Sequence, residues 1–275
     1  MSTQFILFGA PRSGTTLLAQ CLSAHSQVFV PYETDVIGPC ALIIDRVRDA
    51  EHGKPLITGF ILHSYFFKAS LGQHLTPEEV RHSVASSEYT LQAIFRGLYA
   101  ALGAKVGKPI TGDKSPFDLF NLFAIERQGL LEEPVKVIHL VRNMFDVLAS
   151  LHRQAGWLPR AEIYFPRRWS DRNLFLQSFL REAPNYFFLR YEDFVADPGP
   201  WAAALCEFLG CRFEPAMLGT SRFHERYRLM PAHARRYGPI GEDRVQTGRS
   251  GLPPEQVAAV QTQAHEALVK FGYLG

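Results

Sequence analysis

Phe5–Phe8 and Val135–Val141 are near-continuous apolar runs, each short enough to be one strand. Each is followed by a segment whose apolar residues recur every three or four positions. A run buried on both faces marks a parallel strand, and the recurrence after it marks a helix with one inward face. After Phe8 that helix extends from about Thr15 to Ala24, with Leu17, Leu18, Cys21 and Leu22 on one side. After Val141 it is "MFDVLASLHRQ". The alternation continues along the chain. Val28–Val30 is a short second strand, "KPITGDKSP" a brief strand entering a loop before helical "FDLFNLFAIER", and "NYFFLRYEDF" a further strand. "LTPEEVRHSVA" opens a helix with Thr76 as N-cap, Pro77 at the first helical position and acids in the first turn. Another helix is expected from about Glu88 to Leu102, stopping at Gly103. "DPGPWAAALCEFLG" is a helix with Gly210 just past its end, and a last one runs from Pro253 to Phe271 and closes at Gly272.

Strands alternating with helices at this spacing predict one doubly wound α/β domain spanning 1–275, a P-loop-type parallel sheet flanked by helices. Ligands of such sheets bind beyond the carboxyl ends of the strands. Composition agrees with an ordinary globular chain, 47% hydrophobic and 20% charged over 275 residues. The net charge of +2 gives no reason to expect nucleic acid as a partner. Four cysteines (Cys21, Cys40, Cys206, Cys211) have no metal-ligand spacing and read as free thiols of a reducing compartment. No stretch approaches the ~20 apolar residues of a membrane span. With the first strand at Phe5 there is no room ahead of it for a signal peptide, so no membrane partner and a cytoplasmic location are expected.

The strand ends carry the candidate chemistry. The first ends in "GAPRSGTT", a glycine-rich turn before a helix, whose backbone N–H groups can cradle phosphate. The Walker pattern G-x-x-x-x-G-K-[ST] has lysine after its second glycine; here Gly14 is followed by Thr15, and the cation is Arg12. A neighbouring strand in P-loop enzymes often ends in an acid that positions Mg²⁺. "VKVIHLV" ends instead in Arg142, with Ser150 on the next helix. Arginine beside a hydroxyl suits an anion. Two separate anionic groups and no metal are the expectation, which fits a nucleotide phosphorylated at two ends.

"PRSGTTLL" together with "VIHLVRNMFDVLASLHR" resembles the sulfotransferases that use 3′-phosphoadenosine 5′-phosphosulfate (PAPS). The resemblance implies that the loop around Arg12, Ser13, Gly14, Thr15 and Thr16 holds the 5′-phosphosulfate, and that Arg142 and Ser150 hold the 3′-phosphate. "LRYEDFVADP" resembles the segment in which a tyrosine, here Tyr191, contacts the nucleotide. "VQTGRSGLPPEQ" resembles the loop that folds over it, placing Gln246, Thr247, Gly248 and Arg249 at the cofactor.

Within the family, "PRSGTTLLAQCLSAHSQVFVPYET" is more similar to tyrosylprotein and some carbohydrate sulfotransferases, and a bacterial-type cytoplasmic member fits best. That similarity implies Glu33 of "PYET" as catalytic base and Lys114 of "GDKSPF" as its helper. Two residues depart from the pattern: Tyr32 stands for a first glutamate, and Gln154 for a basic residue one turn after Ser150. Sulfuryl transfer requires an acceptor proton to be removed and leaving charge to be stabilised. Glu33 can do the first, and Lys114 with Arg12 the second. The acceptor is a hydroxyl or amine of a small molecule, sugar or peptide, and the mainly helical stretch 35–103 is expected to shape its pocket. Either His25 or His63 could also line that pocket. Oligomeric state is left open. Two other readings remain, a divergent P-loop nucleotide kinase and a nucleotide-binding module without turnover.

Overall fold

Successive side chains of a strand point to opposite faces, and the first strand uses this to join two cores. In β1 (Thr3–Phe8), Phe5 and Leu7 pack on one side and Ile6 and Phe8 on the other, all fully or almost fully buried. Each such side chain contributes about 1.5–3 kcal/mol on leaving water. The structure is a computed structural model describing residues 2–152, 165–219 and 248–274.

Five parallel strands form one sheet in the order β2-β3-β1-β4-β5, the other four being β2 (Val28–Phe29), β3 (Ile110–Asp113), β4 (Lys136–Val141) and β5 (Tyr186–Arg190). β1 lies at the centre, pairing Ile6 with Asp113 on one flank and Phe8 with His139 on the other. Helix α1 (Thr15–Ser23) follows it, and between β2 and β3 come α2 (Ile37–Arg46), α3 (Ala50–His63), α4 (Tyr65–Ala69), α5 (Pro77–Ser86) and α6 (Leu91–Val106). After β3 come α7 (Leu122–Arg127), then β4, α8 (Met144–His152), α9 (Phe165–Leu180) and β5. The described chain ends with α10 (Tyr191–Ala196), α11 (Pro198–Leu209), α12 (Pro254–Gln263) and α13 (His265–Lys270). One core lies under α1, α10 and α11, and the other under the helices between β2 and β3 together with α7, α8, α9, α12 and α13. No helix among the described residues is long and apolar enough to cross a membrane.

The α/β architecture expected from the sequence is the one observed, with corrections at several ends. Thr76 is the N-cap as read, and Glu79 makes it a capping box: Thr76 Oγ1 accepts from the Glu79 N–H at 3.2 Å, and the Glu79 carboxylate accepts from the Thr76 N–H at 2.7 Å. The helix expected to stop at Gly103 continues to Val106 and ends on Gly107, whose φ of 70° is the left-handed conformation of a helix terminator. The strand read through "RYEDF" ends at Arg190, where α10 begins. The last helix is two, broken at Ala264. Helix α9, rich in arginine over its first turns, escaped the pattern of apolar positions.

Candidate active site

The loop from Gly9 to Gly14 turns the chain from β1 into α1 through two left-handed residues, Arg12 (φ 70°) and Gly14 (φ 93°). At Gly14 a side chain has no space, because a Cβ would lie 2.3 Å from the Tyr191 ring. The ring therefore sits directly on the loop. Gly14, the residue before α1, offers no side chain to cap it, which leaves the leading N–H groups of the helix to an anion. Thr15 and Thr16 are buried there, and the fully buried Ser13 hydroxyl has no hydrogen-bond partner within the described residues. A buried orphan hydroxyl at a helix start is what a phosphate oxygen would satisfy. The residues present thus fit a phosphate-bearing donor.

Two clusters flank this loop. On the β3 side, Lys114 is fully buried and its Nζ donates to Glu33 Oε1 at 2.8 Å and to Thr16 Oγ1 at 3.3 Å. The ammonium also lies 5.3 Å from the Tyr32 ring centre. Glu33 keeps 19% of its side chain exposed, whereas Lys114 keeps none. Burial, then Asp113 and Glu33, push the neighbouring Asp35 carboxyl above the usual carboxylate range.

On the β4 side, Arg142 donates through Nη1 to the Arg12 carbonyl at 3.0 Å and stacks 4.4 Å from the Tyr191 ring centre. Arg12 in turn donates from Nε to Ser150 Oγ at 3.0 Å. The sequence paired Ser150 with Arg142; the structure interlocks it with Arg12, so the loop and the second anion position adjoin. Glu192 accepts the Asn143 N–H at 3.0 Å and the Tyr273 hydroxyl at 2.8 Å, and burial pushes its carboxyl up.

Gly248 donates its N–H to Asp146 Oδ1 at 2.7 Å, and a Cβ there would fall 2.4 Å from the Phe145 carbonyl oxygen. Arg249 lies 5.5 Å from the Phe145 ring centre, so both residues sit against the start of α8, the helix that carries Ser150. Gln246 and Thr247 lie outside the described residues, as does Gln154.

Both histidines considered for the pocket are engaged elsewhere. His63 Nδ1 bonds to the Gly59 carbonyl of its own helix at 2.8 Å. His25 gathers with Cys206 and Cys211, their possible ligand atoms all within 4.8 Å of one another, a grouping that the spacing in sequence hid. Its Nδ1 accepts the Gln27 N–H at 2.9 Å, so Nε2 carries the proton and donates to the Arg212 carbonyl at 2.7 Å. Both ring nitrogens are then spent, and burial pushes both thiols up.

A model of the sulfotransferase family matches residues 4–215, most of the chain. The chain belongs to the sulfotransferase family. Membership bears out the resemblance to sulfotransferases read from its motifs, and its reaction class is sulfuryl transfer. Among solved structures, the sulfotransferase domain from the Synechococcus PCC 7002 olefin synthase superposes with a TM-score of 0.69 at 23% identity, covering 100% of this chain and 96% of that one. The sulfotransferase domain from the curacin biosynthetic pathway gives 0.59 at 18% identity, covering 96% and 98%. Sulfotransferase STF9 from Mycobacterium avium gives 0.52 at 13% identity, covering 98% and 77%. At these identities the likeness is one of fold. No curated protein matches the chain by sequence.

Proposed function

We propose that this sulfotransferase acts on a hydroxyl acceptor, with Glu33 as general base and Lys114 and Arg12 as the cations of the reacting centre. The observation that carries the reading is the double contact of Lys114, to Glu33 and to Thr16 of the phosphate loop. It brings an acid, a cation and the loop to one point. PAPS supplies the sulfuryl group when bound. The loop N–H groups, Ser13, Thr15 and Thr16 would hold its 5′ end, and Arg142, Ser150 and Tyr191 its 3′-phosphate side. Gly248 and Arg249 would cover it from the C-terminal loop. Glu33, on the accessible side, takes the acceptor proton; Lys114 and Arg12 hold positive charge where negative charge grows. This division of labour needs no metal. The helices between residues 35 and 103 would wall the acceptor pocket, and the whole chain would act as one catalytic domain.

Glu33→Gln tests this. It keeps shape and hydrogen bonding but cannot accept a proton, so kcat should fall by about 10²–10⁴. Affinity for adenosine 3′,5′-bisphosphate should stay unchanged, since the carboxylate does not hold the nucleotide. Labelled PAPS incubated with a metabolite extract supplies the acceptor for the assay. A variant that keeps more than about a tenth of wild-type kcat would remove Glu33 from the role.

A further inference from the structure

Side chains alternate across the end of β3. Lys114 faces Glu33, while its two neighbours, Asp113 and Ser115, take hold of the residues just after Glu33. Ser115 Oγ accepts the backbone N–H groups of Thr34 at 3.2 Å and Asp35 at 2.9 Å. Asp113 Oδ1 accepts the Thr34 hydroxyl at 2.6 Å and also the Tyr99 hydroxyl, which reaches in from α6. Thr34 and Asp113 are 0% exposed, Tyr99 1% and Ser115 3%.

Holding a strand end to a loop does not by itself require a buried acid. Apolar side chains of the same volume would do it, without the desolvation that pushes the Asp113 carboxyl up and the Tyr99 hydroxyl well above its ordinary value. What the polar network adds is direction. Apolar contacts tolerate sliding, whereas hydrogen bonds fix angle and distance, and a base must be placed to within about half an ångström. The backbone at Asp35 is also left-handed (φ 48°), a conformation that persists in a non-glycine residue only where its surroundings impose it. Ser115 binds that very N–H.

We propose that Asp113, Ser115, Thr34 and Tyr99 are positioning residues, a buried clamp that sets Glu33 against Lys114 for proton removal. The proposal rests on the reading of Glu33 as the base. Thr34→Val deletes one hydroxyl donor at nearly constant volume, and Tyr99→Phe deletes the other. Each should lower kcat by about 10- to 100-fold, the scale expected when a reacting group is misplaced by an ångström. The acceptor KM and the bisphosphate affinity should hold within about twofold, and Thr34→Ser, which restores the hydroxyl, should recover the rate. In a Glu33→Gln background Thr34→Val should cost nothing further, because the group it positions is already lost.

The clamp is overturned if Thr34→Val and Tyr99→Phe both keep kcat within about twofold of wild type, or if Thr34→Val costs the same factor in both backgrounds. Should Thr34→Val fail to fold, Tyr99→Phe is carried through the same cycle and decides alone. Glu33→Gln retaining more than about a tenth of kcat is a different result: it removes the base, and with it the function assigned to the clamp.

Discussion

Glu33 and Lys114 meet where strand ends are tied by buried side-chain hydrogen bonds, whereas Arg142 and Ser150 reach their partners through a ring face, a backbone carbonyl and a second arginine. The first arrangement is directional and expensive. The second spreads its contacts and tolerates small movements. That difference suits the tasks assigned to them, since moving a proton depends on geometry and holding a phosphate depends mainly on charge. Damage on the β3 side should therefore appear in kcat, and damage on the β4 side in affinity.

Arg12 stands where the two sides join, and its loss should blur the distinction most. Arg12→Ala removes loop charge and the bond to Ser150, with a charge-assisted contact of about 1.5–3 kcal/mol at stake in binding and again in turnover. Together the two losses should lower kcat/KM by about 10²–10⁴. Steady-state kinetics beside bisphosphate titration separates the two losses; a fall confined to one of them would contradict the junction.

His139 tests the foundation of the β4 side. Fully buried between Tyr186 and Asn173, it is pushed down to about 4 by burial from an ordinary 6.5. Between those values the unfolded chain binds a proton that the folded chain does not, so stability is complete above about pH 6.5 and is lost as pH falls to about 4. The loss amounts to about 3 kcal/mol. Urea titrations across this range should show a shallower decline for His139→Gln than for wild type; parallel declines would refute the assignment.

Arg142→Ala gives the narrowest effect. Affinity for the bisphosphate should drop by about 10- to 150-fold, corresponding to about 1.5–3 kcal/mol, while affinity for AMP changes far less. Equal losses for both ligands would mean that Arg142 serves the 5′ side.

Much of this was legible in the chain because it is local. The runs at Phe5–Phe8 and Val135–Val141 are apolar on both faces, so they declared a buried parallel sheet before any contact was known, and the glycine-rich turn lies between one of them and its helix. Glu33 and Lys114 were named through motif similarity, and the structure brings them within 2.8 Å. What stayed hidden depends on partners far apart in sequence. Thr34 meets Asp113 across 79 positions, and Gly248 meets Asp146 across 102; no periodicity reports such pairs. Helix α9 was missed for a different reason. Its early turns expose Arg167, Arg168 and Asp171, and its inward face relies on Trp169, Asn173 and Leu176 instead of a plain aliphatic stripe. Gly103 misled because glycine can serve close packing inside a helix: a Cβ there would lie 2.7 Å from the Lys108 carbonyl oxygen.

The central place of β1 also bears on how the protein is made. Thr3–Phe8 leaves the ribosome well ahead of both its neighbours, Ile110–Asp113 and Lys136–Val141. At about 5–20 residues per second the strand waits on the order of ten seconds before either edge can pair. Arg12 waits longer, since Ser150 follows it by 138 positions. During translation the glycine-rich loop therefore exists long before the residues that hold it in shape. Until then the nascent chain carries a bare apolar strand, and folding helpers and aggregation compete for it.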